Sequence, residues 1–323
     1  MKSFFDAGII TDPMVYRHPS PHNKASYMDW YPKGTHKLTT RNFTGPIVDQ
    51  FINNIDILLC FETPFDWNFA NRCQAAGVKT VIIPMYEWYP INPTHLFDQF
   101  INPSALDQEY FPTGTHIPIP ITGTTWTLRS HAMKFLHNAG HIGSRGHKGT
   151  LELLQAMPFV QSPIELTVRC QYSSGMNELL KSVPSTLTDK RITIVNEEVP
   201  YESLFDDHDV YIAPEKFNGL SLPLQEAWAA GMMVMTTDRF PTNTWLPKDC
   251  LIPARGSHTT SVGSGYLKFK ESEVHPMDIA ATIDQWYGTN IEQYSISGGI
   301  YGVNNAWCML KDQYTTLLES LIS

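Results

Sequence analysis

Short apolar runs, each too brief to be a buried helix, alternate along this chain with amphipathic stretches, and that alternation limits the architecture more than any other feature. Asp56-Ile57-Leu58-Leu59-Cys60-Phe61 reads as a buried strand and Thr80-Val81-Ile82-Ile83-Pro84 as another. Between them Trp67 to Ala76 has helical character and stops at Gly77. A strand, a helix and a second strand in that order make a parallel, right-handed crossover unit. Gln99–Asn102 is a further short strand, followed by a helix start at Pro103-Ser104. The pattern then repeats. Met133–Ala139, Glu165–Arg169, Arg191–Val195, Val210–Ala213 and Met232–Thr236 read as strands, with helices at Leu151–Met157 and Leu224–Ala230. The fold class expected is therefore α/β.

Between the two series lies Thr113–Gly123, TGTHIPIPITG, which reads as an extended connector. It puts a first domain at 1–121 and a second at 122–301. The final stretch, 302–323, carries Trp307, Leu310, Tyr314, Leu317, Leu318 and Leu321 on one helical face and is expected to pack back toward the first domain. The first 50 residues, with prolines at 13, 19, 21, 32 and 46, are less regular, so the first domain reads as shortened.

Composition removes several function classes. No run of 18 apolar residues exists, so no transmembrane helix is expected. The N-terminus MKSFFDAGIITD lacks the apolar core of a signal peptide. Five scattered cysteines, with no CxxC or Cys/His ligand spacing, fit reduced thiols in a cytoplasmic protein. A net charge of −9 with no long basic run argues against a broad nucleic-acid or anionic-membrane surface. No metal is expected.

Two segments carry chemistry. Pro214–Gly231, PEKFNGLSLPLQEAWAAG, is a glycine-containing turn running into a helix. A helix entrance offers unpaired N–H groups and a positive dipole end to a phosphate, here through Gly219, Leu220, Ser221 and Leu222. Glu226, inside the helix, can accept hydrogen bonds from vicinal ribose hydroxyls. Upstream, RGHKGT places Lys148 in a small-residue loop, with Arg145 three residues before it. Cations there and a helix entrance here suit a nucleoside diphosphate.

These segments resemble the retaining glycosyltransferases of the two-domain GT-B fold, in the large EX7E-type family that includes sucrose synthases and many bacterial mannosyl- and glucosyl-transferases. The likeness is carried by IPIPIT, by FLHNAGHIGSRGHKGTLELLQAM, by DVYIAPEKFNGLSLPLQEAWAAGMMVMTTD and by the C-terminal amphipathic helix. It implies two Rossmann-like domains facing across a cleft, with the last helix crossing back. It assigns Glu226 to the ribose and Lys148 to the diphosphate, and the partner cation falls to His141 or Arg145, beside Gly140. The family's first glutamate, a contact to the donor sugar, falls on Asn218, and Glu215 is its nearest acidic stand-in. On the acceptor side the candidates are Glu62 and Glu87, both just past strand ends. Trp67, Tyr86 and Trp88 are candidate stacking platforms, and Arg169 is a further candidate. FETPFDW, IPMYEW and GLSLPLQEAWAAG also resemble bacteriophage glycosyltransferases, some of which modify hydroxymethylated DNA bases.

The expected activity is metal-independent, retaining transfer of a sugar from a nucleotide-diphosphate sugar, UDP by default, to a hydroxyl acceptor. A glycan, a small molecule and a modified DNA base are the acceptor classes. No prosthetic group is expected, and the location is the cytoplasm, the host's if the gene is a phage gene. The rival readings are a nucleotide-sugar epimerase of the same fold and a non-catalytic nucleotide-sugar-binding protein.

Overall fold

The computed structural model of this protein describes residues 9, 15–17, 35–37, 44–62, 66–140, 146–171, 173–197 and 199–323. Most of the irregular first 50 residues therefore lie outside the described residues, as do the site candidates His141 and Arg145. Tertiary contacts divide the chain into two compact units. One comprises Met1–Ile119, Ser261–Leu267 and Trp307–Ser323, the other Pro120–Thr260 and Lys268–Ala306.

In the first unit, β1 (Val15–Arg17) pairs in parallel with β2 (Thr35–Lys37), and helix α1 spans Pro46–Ile52. The main sheet is parallel and follows chain order: β3 (Ile57–Glu62), β4 (Lys79–Pro84), β5 (Gln99–Asn102) and β6 (Thr115–His116). Helix α2 (Trp67–Ala75) is the crossover between β3 and β4, and the Asp66 carboxylate caps it by accepting from the Asn68 N–H. Helix α3 (Ala105–Tyr110) follows β5, capped by Ser104. β6 corrects the sequence reading, since it lies inside the stretch read as a connector. Its register, Ile101↔Thr115, depends on close approach: a Cβ at Gly114 would stand 2.6 Å from the Asn102 Nδ2. The last helix of the chain, Trp307–Glu319, seats Leu310, Tyr314 and Leu318 on Val81, Ile83, Ile101 and Ile117. The Tyr314 hydroxyl also donates to the Pro118 carbonyl at 2.8 Å.

The second unit is built on six parallel strands: β7 (Lys134–Gly140), β8 (Glu165–Cys170), β9 (Ile192–Val195), β10 (Val210–Ala213), β11 (Met233–Thr237) and β12 (Leu251–Ile252). Their order is β12-β11-β10-β7-β8-β9. The chain starts in the middle, builds one way to β9, then returns beside β7 and builds the other way. The reversal lies between β7 and β10, and the carboxyl ends of two strands flanking a reversal are where open α/β sheets place ligands. Helix α4 (Thr150–Ala156) follows β7 and ends one residue before the expected Leu151–Met157 run, because Met157–Phe159 tightens into a 3-10 turn with Pro158 at its start. Helix α5 (Ser173–Ser182) follows β8, and helix α6 (Leu222–Ala229) follows β10. A two-stranded ribbon, β13 (Ala254–Ser261) and β14 (Lys268–Val274), and helices α7 (Pro276–Trp286) and α8 (Glu292–Asn304) complete the unit.

Helix α6 is buried along most of its length, through Leu224, Gln225, Ala227, Trp228 and Ala229. It packs on α8, whose glycines allow backbone-to-backbone approach: a Cβ at Gly298 would lie 2.1 Å from the Trp228 carbonyl oxygen. No flexible side chain can move aside there, so Gly298→Ala must push the two helices apart. The expected loss is about 1–3 kcal/mol, read as a lower thermal midpoint in calorimetry.

Candidate functional site

At the reversal point a single buried carboxylate gathers the site. Glu215 follows β10 and is 1% exposed. Its Oε1 accepts from the Lys148 Nζ at 2.7 Å and from the Asn218 Nδ2 at 3.2 Å. Its Oε2 accepts from the Ser221 Oγ at 2.7 Å and from the Arg239 Nη2 at 2.7 Å. Burial alone would raise the Glu215 carboxyl, but the charges of Lys148 and Arg239, with hydrogen bonds from Lys148 and Ser221, bring it down to about 2. Sequence reasoning offered Glu215 to the donor sugar. The structure uses both its oxygens as a counter-ion instead, with four protein partners.

Lys148 reaches Glu215 because Gly149 turns the chain in the left-handed region at φ 69. A side chain at Gly149 would also collide with the Pro214 carbonyl oxygen at 2.0 Å. The Glu215 loop is clamped from its other side. The Lys216 N–H donates to the His147 carbonyl at 2.7 Å, the Ser272 N–H donates to the Lys216 carbonyl at 2.8 Å, and Phe217 stacks on Phe269 of β14 at 3.8 Å.

The turn into α6 differs from its sequence reading. The glycine of the turn, Gly219, is not the left-handed residue; Ser221 is, at φ 53, and it stands at the N-cap. A side chain in that region costs about 1–2 kcal/mol. Its N–H donates to the Asn218 Oδ1 at 2.8 Å, so it is not one of the phosphate donors expected from the sequence. Its hydroxyl, held by Glu215 and Arg239, does not cap the helix. Pro223 at the second helical position has no N–H to offer. The N–H groups of Gly219, Leu220 and Leu222 meet no acceptor among the described residues. Among the described residues, the Lys148 ammonium and these N–H groups are what the site presents to an anion.

Glu226 lies five residues past Ser221, about 7–8 Å further along the helix axis. Its Oε1 accepts from the Tyr201 hydroxyl at 2.8 Å, and that hydroxyl also lies 3.0 Å from the Thr122 carbonyl. Burial raises the Glu226 carboxyl, and the Tyr201 bond opposes the rise. Burial and the neighbouring Glu226 charge push the Tyr201 phenol up, so it stays a protonated donor. Gly140 ends β7 with φ 59.

Sequence reasoning missed Arg239 and Tyr201. Arg239 stands just beyond the all-buried β11, at a strand's carboxyl end beside β10, and that position was the available signal. Tyr201 had no such signal.

Other candidates lie apart from this cluster. The Arg169 guanidinium donates to the Leu204 carbonyl and serves the fold. Glu62 and Glu87 belong to the first unit. Glu62 is exposed at the end of β3 with a left-handed φ of 62, and Glu87 sits in the turn Tyr86–Trp88 after β4. Tyr86 is buried against Tyr110, and Trp67 packs edge-on to Tyr89 and Phe97, so neither is an open platform. Trp88 is 43% exposed and meets Tyr266 edge-on. Among the described residues no cluster of His, Cys, Asp and Glu could hold a metal ion, and no helix is long and apolar enough to cross a membrane.

No family model and no curated protein matches the sequence. Solved structures do match the fold. A glycosyltransferase from Rickettsia africae aligns over 100% of this chain and 93% of its own, at 10% identity and a TM-score of 0.69. HepE from Anabaena, solved with UDP and glucose, aligns over 99% and 94%, at 11% identity and a TM-score of 0.69. A chain of the GtfA/B complex aligns over 85% of this chain at 13% identity and a TM-score of 0.57, and this chain spans 60% of its length. The fold is therefore that of the GT-B glycosyltransferases, α/β with parallel, Rossmann-like sheets.

Two buried groups give the site a pH signature. His137, in β7 beneath the loop, donates from Nδ1 to the Ile212 carbonyl at 2.8 Å and accepts at Nε2 from the Thr150 hydroxyl at 2.8 Å. That pairing requires the neutral ring, and burial lowers its pKa to about 4 from 6.5. The unfolded chain therefore takes up a proton first, and His137 costs stability as pH falls from 6.5 toward 4. Glu215, depressed from 4.5 to about 2, contributes in full above 4.5 and loses its contribution as pH falls to about 2. Urea unfolding of Glu215→Gln across this range should flatten the limb below pH 4.5 and leave the loss between 6.5 and 4.5 in place.

Proposed function

We propose that this protein is a glycosyltransferase that takes its sugar from a nucleotide-diphosphate donor, UDP-linked by default, and passes it to a hydroxyl acceptor with retention of anomeric configuration. The observation that carries the reading is the arrangement at the reversal point: Lys148, the unpaired N–H groups of the α6 entrance and the Glu226 carboxylate. The two ends of that arrangement suit the two ends of a nucleoside diphosphate, the anion at the loop and the ribose hydroxyls at Glu226. HepE, which shares the fold, was solved with UDP and glucose, and GtfA with UDP and N-acetylglucosamine. Both support UDP as the first donor to try.

When the glycosidic bond breaks, negative charge develops on the β-phosphate oxygen. Lys148 and the N–H groups of Gly219, Leu220 and Leu222 stabilise it there. Asn218, with its amide committed to Glu215 and Ser221, shapes the loop. Retention follows from the family resemblance and implies attack on the face from which the leaving group departs. Glu62, on strained backbone at a strand end, is the first acceptor-side residue to test. A hydroxymethylated DNA base joins glycans and small alcohols in the acceptor screen because of the phage-like phrases. The epimerase reading lacks a supporting observation.

The test is thermal unfolding against a panel of nucleoside diphosphates and their sugars. A ligand at about 100 times its Kd adds about 2.7 kcal/mol, and one diphosphate and its sugar should stand out. Glu226→Ala should then weaken that ligand by about 1–3 kcal/mol in calorimetry, the scale of a lost charge-assisted hydrogen bond. Unchanged affinity would remove Glu226 from the site, and a panel with no shift would sink the donor reading.

A further inference from the structure

Arg239 is 3% exposed, and its guanidinium reaches several points of one loop. Its Nε donates to the Glu215 carbonyl at 3.1 Å and its Nη1 to the Asn218 carbonyl at 2.8 Å. Its Nη2 donates to the Glu215 Oε2 at 2.7 Å and to the Ser221 Oγ at 2.9 Å. The side chain thus touches the start, middle and end of the loop. Burying a guanidinium costs several kcal/mol before pairing, so a loop needing shape alone would be held more cheaply by neutral groups.

The charge count shows what the cation adds. Lys148 (21% exposed) and Glu215 form a pair whose charges cancel. A diphosphate approaching that pair would meet an ammonium already neutralised by a carboxylate 2.7 Å away. Arg239, on the carboxylate's other oxygen, restores the balance: the charges of Lys148, Glu215 and Arg239 sum to +1, and Lys148 is the more exposed of the two cations.

We infer that Arg239 is a positioning residue that neutralises Glu215 from the buried side, so that Lys148 keeps its place on the loop while its charge remains available to the donor's diphosphate. The inference rests on the donor reading above. Arg239 itself is buried behind the loop, donates to the hydroxyl of the left-handed Ser221 and acts on the ligand through Lys148 and the loop.

The cluster charge can be reset by replacing its charged groups with neutral amides. Arg239→Gln takes it from +1 to 0, and Glu215→Gln combined with Arg239→Gln returns it to +1 with a neutral amide pair in place of the ion pair. Binding of UDP and of inorganic pyrophosphate is measured by calorimetry for the wild type and each variant. Arg239→Gln should weaken both ligands about tenfold or more, the size of one nearby charge partly screened. The double variant should bind both within about threefold of the wild type. A single variant that binds like the wild type, or a double variant no better than the single, overturns the inference. If Arg239→Gln does not fold, the double variant decides alone: affinity near the wild type supports the inference, and a loss of tenfold or more overturns it. A wild type that binds pyrophosphate but no nucleoside diphosphate sinks the nucleotide reading while leaving the charge test readable, and a wild type that binds neither overturns both.

Discussion

The Glu215 carboxylate is the contact on which the site's other features depend. It is among the most buried charges in the second unit, and four side chains converge on it. Each of those side chains also fixes something else. Lys148 ties in the loop after β7, Asn218 turns the chain toward Ser221, Ser221 sets the entrance of α6, and Arg239 joins the end of β11 to the same point. Glu215 therefore connects three consecutive strand ends of one sheet. A residue with this many obligations has no oxygen left for a substrate, and its contribution to chemistry is the placement of others.

Topology explains why these groups can meet at all. Lys148 and Glu215 are 67 residues apart in sequence, yet β7 and β10 are hydrogen-bonded neighbours, with Val210 opposite Phe135. The loops leaving their carboxyl ends start side by side. His137 reinforces this join from below, bonding β7 to Ile212 of β10 and to Thr150 at the start of α4. A neutral imidazole suits that place, because a second cation beneath Lys148 would raise the cost of holding the ammonium there.

The strands were legible because buried parallel strands read as unbroken apolar runs, and Val81–Ile83 and Met233–Met235 are buried throughout. Lys148 and Glu226 were legible because each sits in a local pattern, a small-residue loop and a turn entering a helix. β6 was hidden because two residues form a strand only by virtue of the neighbour they pair with. The ribbon was hidden because β13 is polar and largely exposed, without the alternation that marks a half-buried strand. Arg239 could not be paired with Glu215 from sequence, since 24 residues and a whole helix and strand separate them. The left-handed residue of the turn, Ser221, was not legible for a similar reason. Gly219 is the residue that adopts such a conformation at least cost, but the side-chain bonds that hold Ser221 there are tertiary.

Those bonds also require an anchor. Ser221 in a left-handed conformation and a buried guanidinium both raise the energy of the loop in front of α6. They persist only if the helix behind them cannot shift to relieve them. The sequence meets that need with the residues that look least functional. Gly298 and Gly302 bring α8 against the Trp228 and Ala229 backbone, and Gln225 bridges the Leu220 carbonyl at 2.6 Å and the Tyr301 hydroxyl at 2.9 Å. The close packing behind α6 thus keeps the strained turn in front of it intact.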